Sequence, residues 1–417
     1  MLPIYFFSYF HRASVPGTIF NEIQVDMGLS ASAVAGLGAL FLGIYAGTQL
    51  FIGMAVDRFG GRRMLLGGAL LMAAGGLWFP AAGSLTELYA ARALTGFGAS
   101  FMFLSIVHEV ESLFGPRRFP AIMGMVLFVG YAGGMSATLP FAALTAWVGW
   151  RPALMGIGCV MALFGFAAWF ILRRLAPAPH SPVHLSFRPL LGMLASTTTR
   201  PLILGALTNY SVFFVIQNVV GKKFLQDVVG LSSNRAAFFV LIKAGVGAGV
   251  SFLSGFWLKL SGQRRKPVLL AFGGILVLGT LLLAGAVAFR APAGVFLVAY
   301  IVLAASVGSG PTGSTVVKEL NRADCVAQSV ALLNGVTYLG VSMLAAVAGW
   351  ILDWFAGGSV LTATGRLYPM TAYLTLFLVM LGIALFSVLC FSRVPETWNP
   401  HRKQPSPVQV AEAQGVV

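Results

Sequence analysis

Residues 53–63 read Gly53-Met54-Ala55-Val56-Asp57-Arg58-Phe59-Gly60-Gly61-Arg62-Arg63, a charged stretch between apolar runs at about 31–55 and 64–83. Each residue type has a physical role in such a loop. Gly53 thins a helix end so that a neighbouring helix can come close. Asp57 can face the positive N-terminal end of an adjacent helix and also pair with an arginine. Gly60 allows a tight turn, and Arg62 and Arg63 hold the loop at the cytoplasmic face of a membrane. The pattern returns at Gly255-Phe256-Trp257-Leu258-Lys259-Leu260-Ser261-Gly262-Gln263-Arg264-Arg265. One constant offset, that between Gly53 and Gly255, also carries Gly60, Arg62 and Arg63 onto Gly262, Arg264 and Arg265. It carries Gln24, Gly28, Leu29 and Ser30 onto Gln226, Gly230, Leu231 and Ser232. The chain is an internal duplication.

Composition supplies the setting. Hydrophobic residues make up 58% of the 417 and charged residues 9%, with a mean hydropathy of +0.87, values no soluble domain of this size shows. Twelve apolar segments are long enough to cross a bilayer: about 2–21, 31–55, 64–83, 87–110, 121–146, 152–172, 201–221, 234–258, 268–289, 294–317, 327–352 and 368–391. They are too long for barrel strands, so they are expected as helices. The net charge of +15 could suggest nucleic acid as a partner. Its placement argues otherwise: most of the 27 Lys and Arg fall in alternate loops and the tail, which is the positive-inside pattern and places both termini in the cytoplasm. No nucleic acid is therefore expected, and the partner is the lipid bilayer. Cys159, Cys325 and Cys390 show neither pairing nor metal spacing. No cleavable signal peptide is read, because His11 and Arg12 interrupt the first apolar run. Met1 lies almost inside that run, which predicts a few residues upstream of this start.

The duplication and the spans divide the chain into a six-helix bundle at 1–172, a proline-rich cytoplasmic linker at 173–200, a second six-helix bundle at 201–391 and a cytoplasmic tail at 392–417. At this point the chain resembles the major facilitator superfamily over about residues 2–392. The G-x3-D-R-x-G-x-R-R loop at 53–63 carries most of the likeness. Arg92, Gly96 and Gly98 match an R-x3-G-x-G pattern, and Glu111 with Arg118 fits an E-x6-R spacing similar to that of sugar porters. The resemblance implies an all-α integral membrane fold of twelve transmembrane helices in two pseudo-symmetric six-helix bundles. Lys259 stands where the first half has Asp57, so the two halves cannot share one charge pairing. Pro140 lacks the preceding glycine of many antiporters. Tyr9-Phe10-His11-Arg12 resembles the Y-F-D-R segment of the organic anion:cation symporter branch, whose first-span arginine binds a carboxylate or phosphate. His11 replaces the aspartate of that segment.

Charge inside a bilayer costs about 2.5–3.5 kcal/mol per group on insertion scales, so each such group should have a partner or a task. Among basic residues only Arg12, Arg92 and Lys243 fall within spans. Arg12 and Lys243 lie near the middle of spans one and eight, one in each half, and are expected to clamp an anion from two sides. Arg92 lies near the outer end of span four, where a local carbonyl or carboxylate is its expected partner; it is grouped with the gate through its motif. No Asp or Glu falls at mid-membrane, which points to anionic cargo and leaves His11 to carry a coupling proton, because imidazole titrates near neutral pH. His108 with Glu109 is the second coupling candidate. Tyr9, Tyr45, Gln49, Asn209 and Tyr338 are candidate cargo contacts, and Tyr5, Tyr210, Gln217, Asn218 and Asn334 belong to the same polar set. Gly53, Asp57, Arg58, Gly60, Arg62, Arg63, Glu111 and Arg118, with Arg92, are expected to gate the inner end.

The expectation is a secondary transporter of a bacterial-type inner membrane, working by alternating access on a small organic anion such as a sugar acid, carboxylate or organophosphate. The alternative is a proton-driven exporter of drugs or siderophores. H+ or Na+ is the expected coupling ion and a monomer the expected state. No G-x4-G-K-[ST] loop is present, so no nucleotide cofactor is expected. No His, Cys or Asp cluster has catalytic or metal-ligand spacing, so neither an enzyme nor a metal site is expected.

Overall fold

The computed structural model describes residues 1–172, 188–321, 326–362 and 365–398. Most of the linker, Cys325, the tail from residue 399 and the Asp57 side chain lie outside the described residues. The first half runs α1 (Leu2–Ser14), α2 (Phe20–Asp26), α3 (Ala31–Phe59), α4 (Gly61–Ala81), α5 (Leu85–Ser100), α6 (Met102–Ser136), α7 (Leu139–Val148) and α8 (Trp150–Leu172). After α9 (Arg188–Ala195) come α10 (Thr199–Asn218), α11 (Gly221–Asp227), α12 (Ser233–Phe252), α13 (Ser254–Leu260), α14 (Arg265–Ala288), α15 (Ala293–Ala305), α16 (Ser309–Leu320), α17 (Val326–Trp354) and α18 (Met370–Ser392). A small hairpin, β1 (Val360–Thr362) with β2 (Gly365–Leu367), precedes α18. Among the described residues, ten helical spans are long and apolar enough to cross a membrane, and the bent pair Ile122–Ser136 and Leu139–Val148, taken as one span, makes an eleventh.

The first expected span differs from its prediction. It is delivered as α1 and α2, with a break at residues 15–19, so helix continues through Asn21–Asp26 where a loop is expected. The second half breaks at the corresponding place, between α10 and α11. Turns repeat as well. Gly60 and Gly262 take φ of 85° and 63°, and Gly28 and Gly230 take 61° and 70°, the left-handed region where a side chain is strained. Duplication in sequence is thus duplication in backbone.

Close packing follows from missing side chains. A Cβ on Gly98 would lie 2.5 Å from Met72 N and 2.6 Å from the Gly68 carbonyl oxygen, and one on Gly96 2.9 Å from the Phe41 carbonyl oxygen. The R-x3-G-x-G glycines therefore let α5 seat against α4 and α3 at once. Between the halves, α3 and α17 run side by side. A Cβ on Gly349 would meet Ser32 Cα at 2.7 Å, Ser342 Oγ donates to the Ala39 carbonyl at 2.7 Å, and Gly335 faces the Ala46 carbonyl.

At the end of the bundle away from residues 53–63, polar groups tie the halves together. Asp353 at the end of α17 accepts from Ala31 N at 2.8 Å and Ser32 N at 2.9 Å, capping α3 across the seam. Lys222 donates to the Thr18 carbonyl and pairs with Glu22 at 3.3 Å. Lys223 donates to Asn21 Oδ1 and to the Arg366 carbonyl, each at 2.7 Å, and pairs with Asp227 at 3.1 Å. Tyr373 Oη and Tyr368 N donate to the same carboxylate, at 2.7 and 3.1 Å. Burial pushes the Lys222 and Lys223 ammonium groups down and the Asp227 carboxyl up, with the paired charges offsetting part of each effect. Such a latch closes an end of the bundle without greatly stabilising the closed state, because desolvation consumes much of the attraction.

Two outcomes follow. Gly98→Val should lower stability by about 1–3 kcal/mol, whereas Gly67→Val, with nothing within 4 Å, should melt near the parent in detergent; equal melting of the two contradicts the packing account. Lys223→Ala should cost about 3–5 kcal/mol by stranding Asp227, and Lys223→Met with Asp227→Leu should cost less. A double variant worse than the single would contradict the latch energetics.

Candidate functional site

Arg12 sits in α1 with 6% of its surface exposed. Its Nη1 donates to the Tyr338 hydroxyl at 2.5 Å, a bond from the first half of the chain to the second. Its guanidinium carbon lies 4.7, 4.5 and 4.9 Å from the ring centres of Tyr9, Tyr45 and Tyr338, so aromatic faces surround the cation. More tyrosines extend the wall: Tyr5 and Tyr131 lie edge-on to Tyr9, and Tyr210 and Phe214 edge-on to Tyr338. Arg12 Nε is buried with no hydrogen-bond partner. No carboxylate among the described residues pairs with Arg12. The site thus offers a guanidinium edge with a free donor inside a ring of phenols, the geometry that receives a carboxylate through two N–H groups.

Of the expected cargo contacts, the structure brings Arg12, Tyr9, Tyr45 and Tyr338 together. Lys243 does not join them, which corrects the two-sided clamp. Its ammonium is fully buried, donates to the Phe213 carbonyl at 3.0 Å and to Gln217 Oε1 at 3.1 Å, and lies 3.7 Å from the Phe213 ring centre. Lys243 therefore spends its charge on α10, within its own half. Gln49 donates to the Ser100 carbonyl at 3.4 Å, and Asn209 accepts from Ser309 at 2.8 Å, so both tie helices within one half instead of facing Arg12. His11 turns elsewhere too. Successive helical residues point about 100° apart, and a Cβ on Gly76 of α4 would lie 3.2 Å from its Nε2, a buried atom with no partner.

The gate residues also separate. Arg92 is 2% exposed and donates from Nη2 to the Val15 carbonyl at 2.6 Å, with its guanidinium 4.4 Å from the Phe41 ring centre. It braces the break between α1 and α2 and stands far from the 53–63 loop, so its placement with the gate is corrected. At that loop, among the described residues, Glu109 engages the start of α4, accepting from Arg62 N at 2.8 Å; a Cβ on Gly61 would press on Glu109 and on the Ser105 carbonyl. Gly53 makes only an ordinary approach to Leu104, so the close contact belongs to Gly61. Arg58, Glu111 and Arg118 are exposed and form no ion pair among the described residues, and Arg63 is exposed as well. Glu109 and Glu111 are two residues apart, so only one of them can face inward.

In the second half, Glu396 accepts from Arg265 N at 3.0 Å and Lys266 N at 3.1 Å, and four backbone donors hold its carboxyl below the usual range against partial burial. Arg265 pairs with Glu319 at 2.8 Å. Glu396 thus holds the start of α14 as Glu109 holds the start of α4. Sequence reasoning missed Glu319, Glu396, Lys222 and Lys223. A doubled lysine directly after an apolar run, at the offset position of Phe20-Asn21, is the signal that could have found the latch.

The family model described as Major Facilitator Superfamily matches residues 1–343. The chloramphenicol resistance protein of Pseudomonas aeruginosa is 25% identical over 389 residues, 88% of this chain and 84% of that protein. Monocarboxylate transporter 11 of Homo sapiens is 26% identical over 275 residues, 63% of this chain and 56% of that protein. The chain spans 26%, 56% and 36% of the length of three curated relatives it matches. A bacterial homologue of the human lysosomal transporter Spinster, solved inward-facing and unoccupied, shares the fold at a TM-score of 0.76 and 18% identity, covering 94% of each chain. The apolar helical spans and a family match over most of the sequence converge: the chain is an integral membrane protein and belongs to the major facilitator superfamily.

Proposed function

We propose that the protein is a secondary transporter working by alternating access on a small organic anion that presents one carboxylate. The observation that carries this reading is Arg12, a buried cation in the seam between the halves with no carboxylate partner among the described residues and an unused Nε donor. Because Lys243 is held by α10, one positive group faces the cargo. A monoanion matches that charge, whereas a phosphate dianion would leave a second charge uncompensated among apolar walls. Tyr9, Tyr45 and Tyr338 supply ring faces and hydroxyls for the body of the cargo. The monocarboxylate relative agrees with this chemistry. The chloramphenicol resistance relative, with its longer match, favours the second reading, a proton-driven exporter of drugs, in which Arg12 is dispensable.

The distribution of Lys and Arg supports a bacterial-type inner membrane with both termini in the cytoplasm and the 53–63 loop on the inside. On this reading the latch of Lys222 and Lys223 is the outer gate, and Gly60, Asp57, Arg62 and Glu109 belong to the inner one. H+ or Na+ drives the cycle, and His11 is the proton carrier in the first case. The transporter works as a monomer.

The test is thermal stabilisation of the purified protein by lactate, gluconate, glycerol 3-phosphate and tetraphenylphosphonium. A matching monocarboxylate at a hundredfold excess over its Kd should stabilise by about 2.7 kcal/mol, and Arg12→Ala should abolish the effect. Stabilisation by the lipophilic cation alone contradicts the anion reading. For the gate, Asp57→Asn should leave the protein folded and slow uptake into proteoliposomes of whichever acid stabilises; undiminished uptake would remove Asp57 from the gate.

A further inference from the structure

A carrier that binds an anion through a buried cation must also travel without cargo if it is to move anything net. This protein holds an acceptor of its own beside Arg12. Arg12 is enclosed on its faces by three tyrosine rings, but those rings do not accept its in-plane N–H groups. Hydroxyls do: Tyr338 Oη from the opposite half accepts from Nη1 at 2.5 Å, and the Tyr45 hydroxyl, from the same half as Arg12, also hydrogen-bonds to the guanidinium. Tyr338 belongs to α17, in the opposite half of the chain, and its ring is fixed by Tyr45 at 5.0 Å, Tyr210 at 5.7 Å and Phe214 at 6.0 Å between centres.

We propose that the Tyr338 hydroxyl stands in for the cargo carboxylate at Arg12, so that the carrier can close and reorient while empty. This rests on the anion reading given above. A carboxylate outcompetes a phenol for a guanidinium because its hydrogen bonds are charge-assisted. Cargo therefore displaces Tyr338, and the departure of cargo restores it. Closing the site over Arg12 without either acceptor would leave a second set of buried donors unsatisfied, beside Nε. Tyr338 is thus a positioning residue that sets the mode of transport: with its hydroxyl the protein carries out net flux, and without it the cycle is confined to exchange.

The test needs no cargo. Spin labels at Ser112 and Lys318, exposed positions near the paired loops of the two halves, report the separation of those ends by pulsed electron resonance, with Cys159, Cys325 and Cys390 replaced by serine. In ligand-free protein, Tyr338→Phe should reduce the closed-to-open population ratio at least tenfold. Tyr338→Gln, whose amide oxygen can accept from Arg12, should restore most of it. A wild-type distribution in Tyr338→Phe overturns the proposal and leaves the anion site standing. Equal loss in the Phe and Gln variants also overturns it, because the acceptor would then be irrelevant. If the wild-type protein is stabilised by no anion, the reading of the site and this inference fall together.

Discussion

One constraint organises the molecule: a guanidinium is held in the seam between two halves, in a setting where an unpaired charge is costly. Arg12 meets that constraint with aromatic faces and one phenol from across the seam, not with a carboxylate. The solution is incomplete, since Nε has no partner. An incomplete solution suits a binding site, because a carboxylate partner inside the protein would compete with every anion that arrived. The other span charges are settled locally: Arg92 on the Val15 carbonyl, and Lys243 on Phe213 and Gln217.

The scaffold places that charge through two devices repeated in each half. Breaks after α1 and α10 turn the following short helices, α2 and α11, towards each other, so that Lys222 and Lys223 reach Glu22 and Asn21. Arg92 stabilises the first break by taking the carbonyl that the break exposes. Glycines then permit backbone contact where the halves meet, as at Gly349 against Ser32. The Lys223–Asp227 pair at this end is buried and costly to desolvate, so it adds little net stability to the contact.

The spans, the duplication and the site arginine were legible because each leaves a one-dimensional trace: length of apolar runs, a constant offset, and a charge in the middle of a run. What faced what was not legible. His11 and Arg12 are neighbours in sequence, yet one packs against Gly76 and the other against Tyr338. Glu109 meets the start of α4, where Glu111 was expected, for the same reason: spacing along the chain does not fix which face of the helix turns inward. Lys243 is as central in its span as Arg12, and only the position of Phe213 and Gln217 decides that it is structural. Glu319 and Glu396 reach Arg265 from distant parts of the chain, beyond what a local pattern encodes.

The role of Arg12 is open to direct observation. An electron cryomicroscopy map of the protein saturated with a stabilising monocarboxylate should show density against the Nε–Nη2 edge of Arg12, inside the ring formed by Tyr9, Tyr45 and Tyr338. The Tyr338 hydroxyl should then have withdrawn from Nη1. Density lodged elsewhere, with the bond between Arg12 and Tyr338 intact, would contradict the account.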